Sequence, residues 1–197
     1  VSIPASFMDK NYVPTLKGID TVIHTNYHCT RALTESLLPL LSSDGKIVNV
    51  SSIAGQWFLQ GETFLKIFTN PNFEDKDLEL IYTSYKDAVS AGDWKEKGFT
   101  KNEYLVSKAL MNAWNYYVLP KSLSENQQCF TMSPGSCKTD MNEEGSLTPD
   151  EGSDTIEWLI AEVPFKFDKD MNGKFFENRK AIDLVLYEFN YLVSKLA

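Results

Sequence analysis

The feature that most constrains this chain is its alternation of long helical periods with short apolar runs. From about Leu16 to Leu41, apolar residues (Ile19, Val22, Ile23, Tyr27, Leu33, Leu37, Leu38, Leu41) recur at helical spacing, which predicts one long helix. Asp44-Gly45 then turns the chain into KIVNVSS, Lys46 to Ser52, a short β-branched run suited to burial on both faces, as in a parallel strand. A second helical pattern, from Glu103 to about Leu123 with Pro120 kinking or ending it, leads into a second short run, Gln128 to Ser133, closed by Pro134-Gly135. Thr148-Pro149-Asp150-Glu151 is a helix start with proline at its first position, and the helical pattern continues to Glu162. Gly173 to Glu177 reads as a last strand, and Ala181 to Leu196 as a closing helix or tail. Helix and strand in this order predict an α/β fold with a parallel sheet.

With 197 residues the chain is sized for one domain. Its net charge of −8 argues against attraction to phosphate backbones or anionic lipid, so neither nucleic acid nor a membrane is an expected partner. Apolar stretches such as Leu37 to Leu41 fall far short of a spanning helix, and no apolar segment opens the chain, which together predict a cytoplasmic protein. Three widely spaced cysteines (Cys29, Cys129, Cys137) suggest neither a disulfide framework nor a thiolate zinc site. Residues 56 to about 100 form an irregular aromatic and acidic region, with a helix expected around Asp75 to Val89, and read as an insertion within the domain.

The chemistry is carried by Tyr104-Leu-Val-Ser-Lys108, which on a helix puts a phenol and an ammonium on one face about one turn apart. A tyrosine near pKa 10 is a poor acid or base at neutral pH unless a cation favours its phenolate, and Lys108 is placed to be that cation. Three further features fall where an open parallel sheet binds ligands, at the carboxyl ends of its strands. Ser51-Ser52 ends the first strand, PGSCKTDM (134–141) leaves the second at the same edge, and Asn26 is polar within an otherwise apolar helix. Each has a bland explanation alone, as a cap, a turn or a solvated position; the combination is harder to attribute to chance.

From about Leu16 to Phe176 the sequence resembles the short-chain dehydrogenase/reductase family. NYHCTRALTESLLPLL, NVSSIAG and YLVSK supply that family's catalytic tetrad as Asn26, Ser52, Tyr104 and Lys108. The resemblance implies a Rossmann-like doubly wound parallel sheet and a nicotinamide cofactor, NADP(H) above NAD(H), acting on a small carbonyl substrate. It makes Tyr104 the acid that protonates the carbonyl oxygen and Ser52 a hydrogen-bond partner of that oxygen. Lys108 would lower the tyrosine pKa and hold the nicotinamide ribose, and Asn26 would position a water linking Lys108 to solvent. Pro134, Gly135, Cys137 and Thr139 would surround the nicotinamide carboxamide. Met141 is expected beside the substrate, and the insertion's aromatic residues, Trp57 among them, suit either an apolar substrate wall or, for most of them, packing. Most members place the tyrosine about a dozen residues after the serine, so an insertion of about forty residues must fit between Ser52 and Tyr104. That insertion resembles the carbonyl reductase branch and implies a monomer; the ending GKFFENRKAID resembles the same branch.

The family's opening strand and glycine-rich turn have no counterpart here, and would occupy about 90 residues before Val1. The chain is therefore expected to be an N-terminally truncated part of such a domain, inactive alone. Its reductase reading is set against that of a non-catalytic homologue acting through surface contacts. Asp168 to Gly173 opens like a calcium loop but has Arg179 at the twelfth position, and His24 and His28 lack a third ligand, so no metal is expected.

Overall fold

The computed structural model describes residues 11–140, 142–163 and 168–185. Thr15 caps the first helix, α1, by accepting the Gly18 N–H at 3.0 Å; α1 runs without a break through Leu16–Gly18, Ile19–Cys29 and Thr30–Leu37 and closes in a tight turn at Leu38–Leu40. Its middle stretch is widened to the π form, a device that commonly accommodates a functional position, and Asn26 sits there. Gly45 turns the chain into β1 (Lys46–Val50), and α2 (Glu62–Phe68) and α3 (Asp75–Ala91) make up most of the insertion. Then come α4 (Glu103–Ala113, prolonged by Trp114–Val118), β2 (Gln128–Met132), α5 (Pro149–Glu157, prolonged by Trp158–Glu162), β3 (Phe175–Glu177) and β4 (Lys180–Ile182).

The strands lie in the order β1-β2-β3-β4. β1 and β2 pair in parallel from Lys46↔Gln128 to Val50↔Met132, and β2 pairs in parallel with β3 through Thr131↔Phe175 and Met132↔Phe176. Alternation along the strands divides the core between the two faces. Cys129 and Phe175, with Ile47, join the large cluster under α1, α3 and α4, whereas Phe130, Met132 and Phe176, with Val48, pack with Leu159 of α5. Helices therefore cover both faces, as the α/β reading requires.

Two expectations need correction. KIVNV is not buried on both faces: Val50 is 46% exposed, because β1 is an edge strand with no described neighbour on its other side. Ala181 and Ile182 do not open a helix but lie in β4, which folds back antiparallel on β3; residues 186–197 of that expected helix or tail are outside the described residues. The hairpin turns through Asn178 and Arg179, both with positive φ (51° and 59°), a conformation that suits asparagine far better than arginine. Arg179 is held there from outside: its guanidinium forks onto Asp154 at 2.6 and 2.8 Å, and its N–H reaches Thr155 Oγ1 at 3.2 Å.

The insertion is fastened to α4 by aromatic packing. The Trp57 ring lies between Phe68 and Tyr117, with centroids 5.4 and 5.5 Å away, and Phe73 stacks on Tyr117 at 4.5 Å. Ion pairs Arg31–Asp75 (2.6 Å) and Lys86–Asp20 (2.8 Å) tie α3 to α1. Asp168 to Gly173 serves the sheet: Asn172 Oδ1 accepts the Cys129 N–H and the Gly173 N–H donates to the Cys129 carbonyl, both at 2.8 Å, which aligns β3 beside β2. Among the described residues, no helix is long and apolar enough to cross a membrane, and no group of three or more His, Cys, Asp or Glu could hold a metal ion.

Candidate active site

Because β1 and β2 are parallel, their carboxyl ends share one edge, and the segments leaving them meet there; the Ser51 N–H donates to the Met132 carbonyl at 2.7 Å. Ser52 follows in extended backbone and caps the short turn Ile53–Gly55, its Oγ accepting the Ala54 N–H at 3.1 Å. Opposite, Asn102 caps α4 by accepting the Tyr104 N–H at 2.9 Å, so Tyr104 stands in the first turn of that helix and Lys108 in the next. The residue before the tyrosine, Glu103, is buried and takes the Tyr12 hydroxyl at 2.8 Å and the Thr15 N–H at 2.9 Å, which fixes the start of α4 against the start of α1.

Three of the four tetrad positions come together directly. The Tyr104 and Ser52 side chains are hydrogen-bonded, and Lys108 Nζ lies 5.8 Å from the centroid of the Tyr104 ring while donating to the Val50 carbonyl at 3.2 Å. Asn26 enters from α1 through an intermediary: its Nδ2 donates to Ser107 Oγ at 3.1 Å, and that hydroxyl donates to the Tyr104 carbonyl at 2.7 Å. Asn26 is buried, so it is not the solvated helix position that its polarity alone allowed.

The electrostatics differ from the sequence expectation in one respect. Lys108 does not bring the Tyr104 pKa down; the phenol is pushed up by burial, with the Ser52 hydrogen bond pulling the other way. The physical reason is that desolvation of a buried phenolate outweighs the help of an ammonium that sits over the ring and spends a proton on a backbone carbonyl. Lys108 is itself desolvated, with 1% of its surface exposed, and its pKa is pushed down to about 8.

The loop after β2 leaves at the same edge. Gly135 takes φ 74°, Cys137 donates its thiol to the Pro134 carbonyl at 3.3 Å, and backbone pairs Cys137 with Leu147 and Thr139 with Asn142. Pro134, Gly135 and Cys137 are half-buried and Thr139 is exposed. Met141 lies outside the described residues. Trp57 is 2% exposed: its backbone N–H donates to the Leu184 carbonyl at 2.8 Å, and its ring stacks on Tyr117, more than three turns along the helix from Tyr104. Of the two roles open to the insertion's aromatics, this burial fits packing. Sequence reasoning missed Ser107 and Glu103, although both lie within the YLVSK segment or beside it.

No protein-family model matches the chain, but individual known proteins do. Carbonyl reductase (NADPH) 3 of Rattus norvegicus is 27% identical over 153 residues, 74% of this chain and 55% of that protein. Salutaridine reductase of Papaver bracteatum is 31% identical over 149 residues, 71% of this chain and 46% of that protein. The solved structure of salutaridine reductase from Papaver somniferum superposes with a TM-score of 0.73 at 25% identity, covering 83% of this chain and 56% of that one. The chain belongs to the short-chain dehydrogenase/reductase family. Within it, these similarities place the chain in the carbonyl-reductase-like branch, and it spans about half the length of the curated relatives it matches.

Proposed function

We propose that this chain carries the catalytic site of a nicotinamide-dependent carbonyl reductase that converts an aldehyde, ketone or quinone to the alcohol, with NADPH as the preferred reductant. The observation that carries the reading is the Tyr104–Ser52 hydrogen bond with the Lys108 ammonium over the same ring, at the carboxyl edge of the sheet. The residues fit a nicotinamide cofactor. Lys108 forms no ion pair with any described residue and gives a bond to one backbone carbonyl, so a buried ammonium has donors to offer ribose hydroxyls. Ser51 Oγ is likewise buried without a partner among the described residues. Asn26, Tyr104, Lys108 and the loop bearing Pro134, Gly135, Cys137 and Thr139 are the residues that would hold it.

The reduced nicotinamide, when bound, supplies the hydride. Charge then develops on the carbonyl oxygen, and the chain's task is to meet it with donors already in place. Ser52 and Tyr104 are hydrogen-bonded to each other, so an oxygen near both hydroxyls is held by Ser52 and protonated by Tyr104. A phenol whose pKa is held up by burial stays protonated at neutral pH, which suits its use as the acid in the reducing direction. Lys108 keeps positive charge beside the ring, and Asn26 fixes the backbone of Tyr104 through Ser107. The insertion packs α3 onto α1 and the aromatic cluster onto α4, which supports a monomer.

The test is NADPH oxidation with a small quinone or aldehyde by the whole protein that carries this chain. Turnover that falls at least a thousandfold in Tyr104→Phe is the expected result. Full turnover in Tyr104→Phe would exclude the assigned acid, and a folded, cofactor-bound protein without turnover would favour the non-catalytic reading.

A further inference from the structure

We propose that Asn112 is a positioning residue for the Ser52–Tyr104 pair, clamping the turn that carries Ser52 onto the Lys108 turn of α4. The inference rests on the reading of these residues as a reductase site.

Tyr104, Lys108 and Asn112 follow one another at i, i+4 and i+8, so they share a face of the helix. The last of them is fully buried, and its Nδ2 donates to the Gly55 carbonyl at 3.2 Å. Gly55 is the far end of the single turn that starts at Ser52: its N–H donates to the Ser52 carbonyl at 3.0 Å, and inside the same turn the Ala54 N–H donates to Ser52 Oγ at 3.1 Å. A Cβ on Gly55 would stand 2.6 Å from Asn112 Nδ2 and 2.6 and 2.7 Å from the backbone C and O of Lys108. The turn therefore rides on the helix backbone itself, with the missing side chain at 55 setting its height and the amide at 112 setting its position along the helix. Ser52 is three residues from that contact, in a closed turn with little freedom to absorb a shift.

The same amide gives a second reason. Asn112 Oδ1 is buried and has no hydrogen-bond partner among the described residues. A half-satisfied buried amide is costlier than a leucine of similar shape, so packing alone does not account for asparagine here. Its Nδ2 bond to Gly55 is what a leucine could not supply. An O–H···O bond tolerates only a few tenths of an ångström, and a misplacement of about 1 Å at a reacting group can cost about a hundredfold in rate.

The experiment labels the protein with 13Cζ-tyrosine, assigns the Tyr104 resonance by its loss in Tyr104→Phe, and reads its position at pH 8, which reports hydrogen bonding to that hydroxyl. Asn112→Leu is expected to move the resonance in the same direction as Ser52→Ala, and the double variant to move it no further than Ser52→Ala alone. In the activity assay, kcat in Asn112→Leu is expected to fall by roughly tenfold to a hundredfold with KM for the cofactor unchanged. A Tyr104 resonance unmoved in folded Asn112→Leu, or displacements that add in the double variant, overturns the proposal. If the leucine variant does not fold, Gly55→Ala asks the same question through the backbone, since its methyl must lift the turn off α4. The displacement is read without turnover, so it stands if the reductase reading fails; a reductase that loses activity in Tyr104→Phe while the resonance ignores Asn112→Leu keeps its function and loses this clamp.

Discussion

Replacing Lys108 by methionine should make the chain more stable at neutral pH while destroying its use as a reductase. Lys108 is 1% exposed, has no carboxylate beside it among the described residues and has its pKa pushed from the ordinary 10.5 down to about 8 by burial. At about 1.4 kcal/mol per pH unit, that displacement corresponds to about 3 kcal/mol of unfavourable burial when the lysine is charged. Methionine fills similar space without charge but leaves the Val50 carbonyl without its donor, a loss of about 1 kcal/mol. The net expectation at pH 7 is a gain of about 2 kcal/mol. The pH dependence follows from linkage. Between about 8 and 10.5 the unfolded chain binds the proton that the folded chain has released, so wild-type stability rises with pH through that window. Below about pH 8 both states are protonated and the burial cost is complete. The advantage of Lys108→Met should therefore be full at pH 7, shrink from about 8 upward and reverse by about 1 kcal/mol once the free lysine also deprotonates. Urea unfolding of both proteins at pH 7, 8, 9 and 10 measures it. A methionine variant less stable than wild type at pH 7, or a difference that stays level to pH 10, would refute the argument that Lys108 is an uncompensated buried charge.

Other consequences are read more simply. Trp57→Ala should cost about 3–5 kcal/mol in urea unfolding, because it empties a stack between Phe68 and Tyr117; Trp57→Phe should leave KM for the carbonyl substrate unchanged, since the ring is far from Tyr104. Thr148→Ala removes half of a reciprocal capping box with Glu151 and should lower the stability of α5 by about 1 kcal/mol, seen as a lower urea midpoint with the same slope. Arg31→Met, at a half-exposed ion pair with Asp75, should cost about 1 kcal/mol or less, and the difference should narrow further in high salt.

The parts of this structure set by local rules were legible in the sequence. The helical period of α1, the 128–133 run and the Thr148-Pro149 start all depend on neighbours a few residues away, and each element formed within a residue or two of its expected bounds. Tyr104 and Lys108 were legible for the same reason, as one turn of one helix. What depended on distant neighbours was not. The exposure of Val50 depends on β1 having no described strand on its other side, and β4 hinges on an arginine held at positive φ by Asp154 of α5, where the sequence offers no glycine to announce the turn. The sign of the Tyr104 shift was misjudged because spacing shows that a cation is near but not how deeply the phenol is buried. Trp57 stays open to two roles in the sequence because an aromatic residue five positions after the serine can face either way, and its stacking on Phe68 and Tyr117 is what favours packing. Asn112 did leave a signal, a third polar residue on the Tyr104–Lys108 face, but its meaning depends on the closeness of Gly55.

The proposed chemistry is tested most directly by following the hydrogen itself. With NADPH carrying deuterium on the transferred face and a small aldehyde or quinone, mass spectrometry of the product should find one deuterium delivered per turnover by the intact protein, and product formation should stop in Tyr104→Phe. Product free of deuterium, or labelled product formed at the wild-type rate by Tyr104→Phe, would contradict the account of Tyr104, Ser52 and Lys108 as one reducing site.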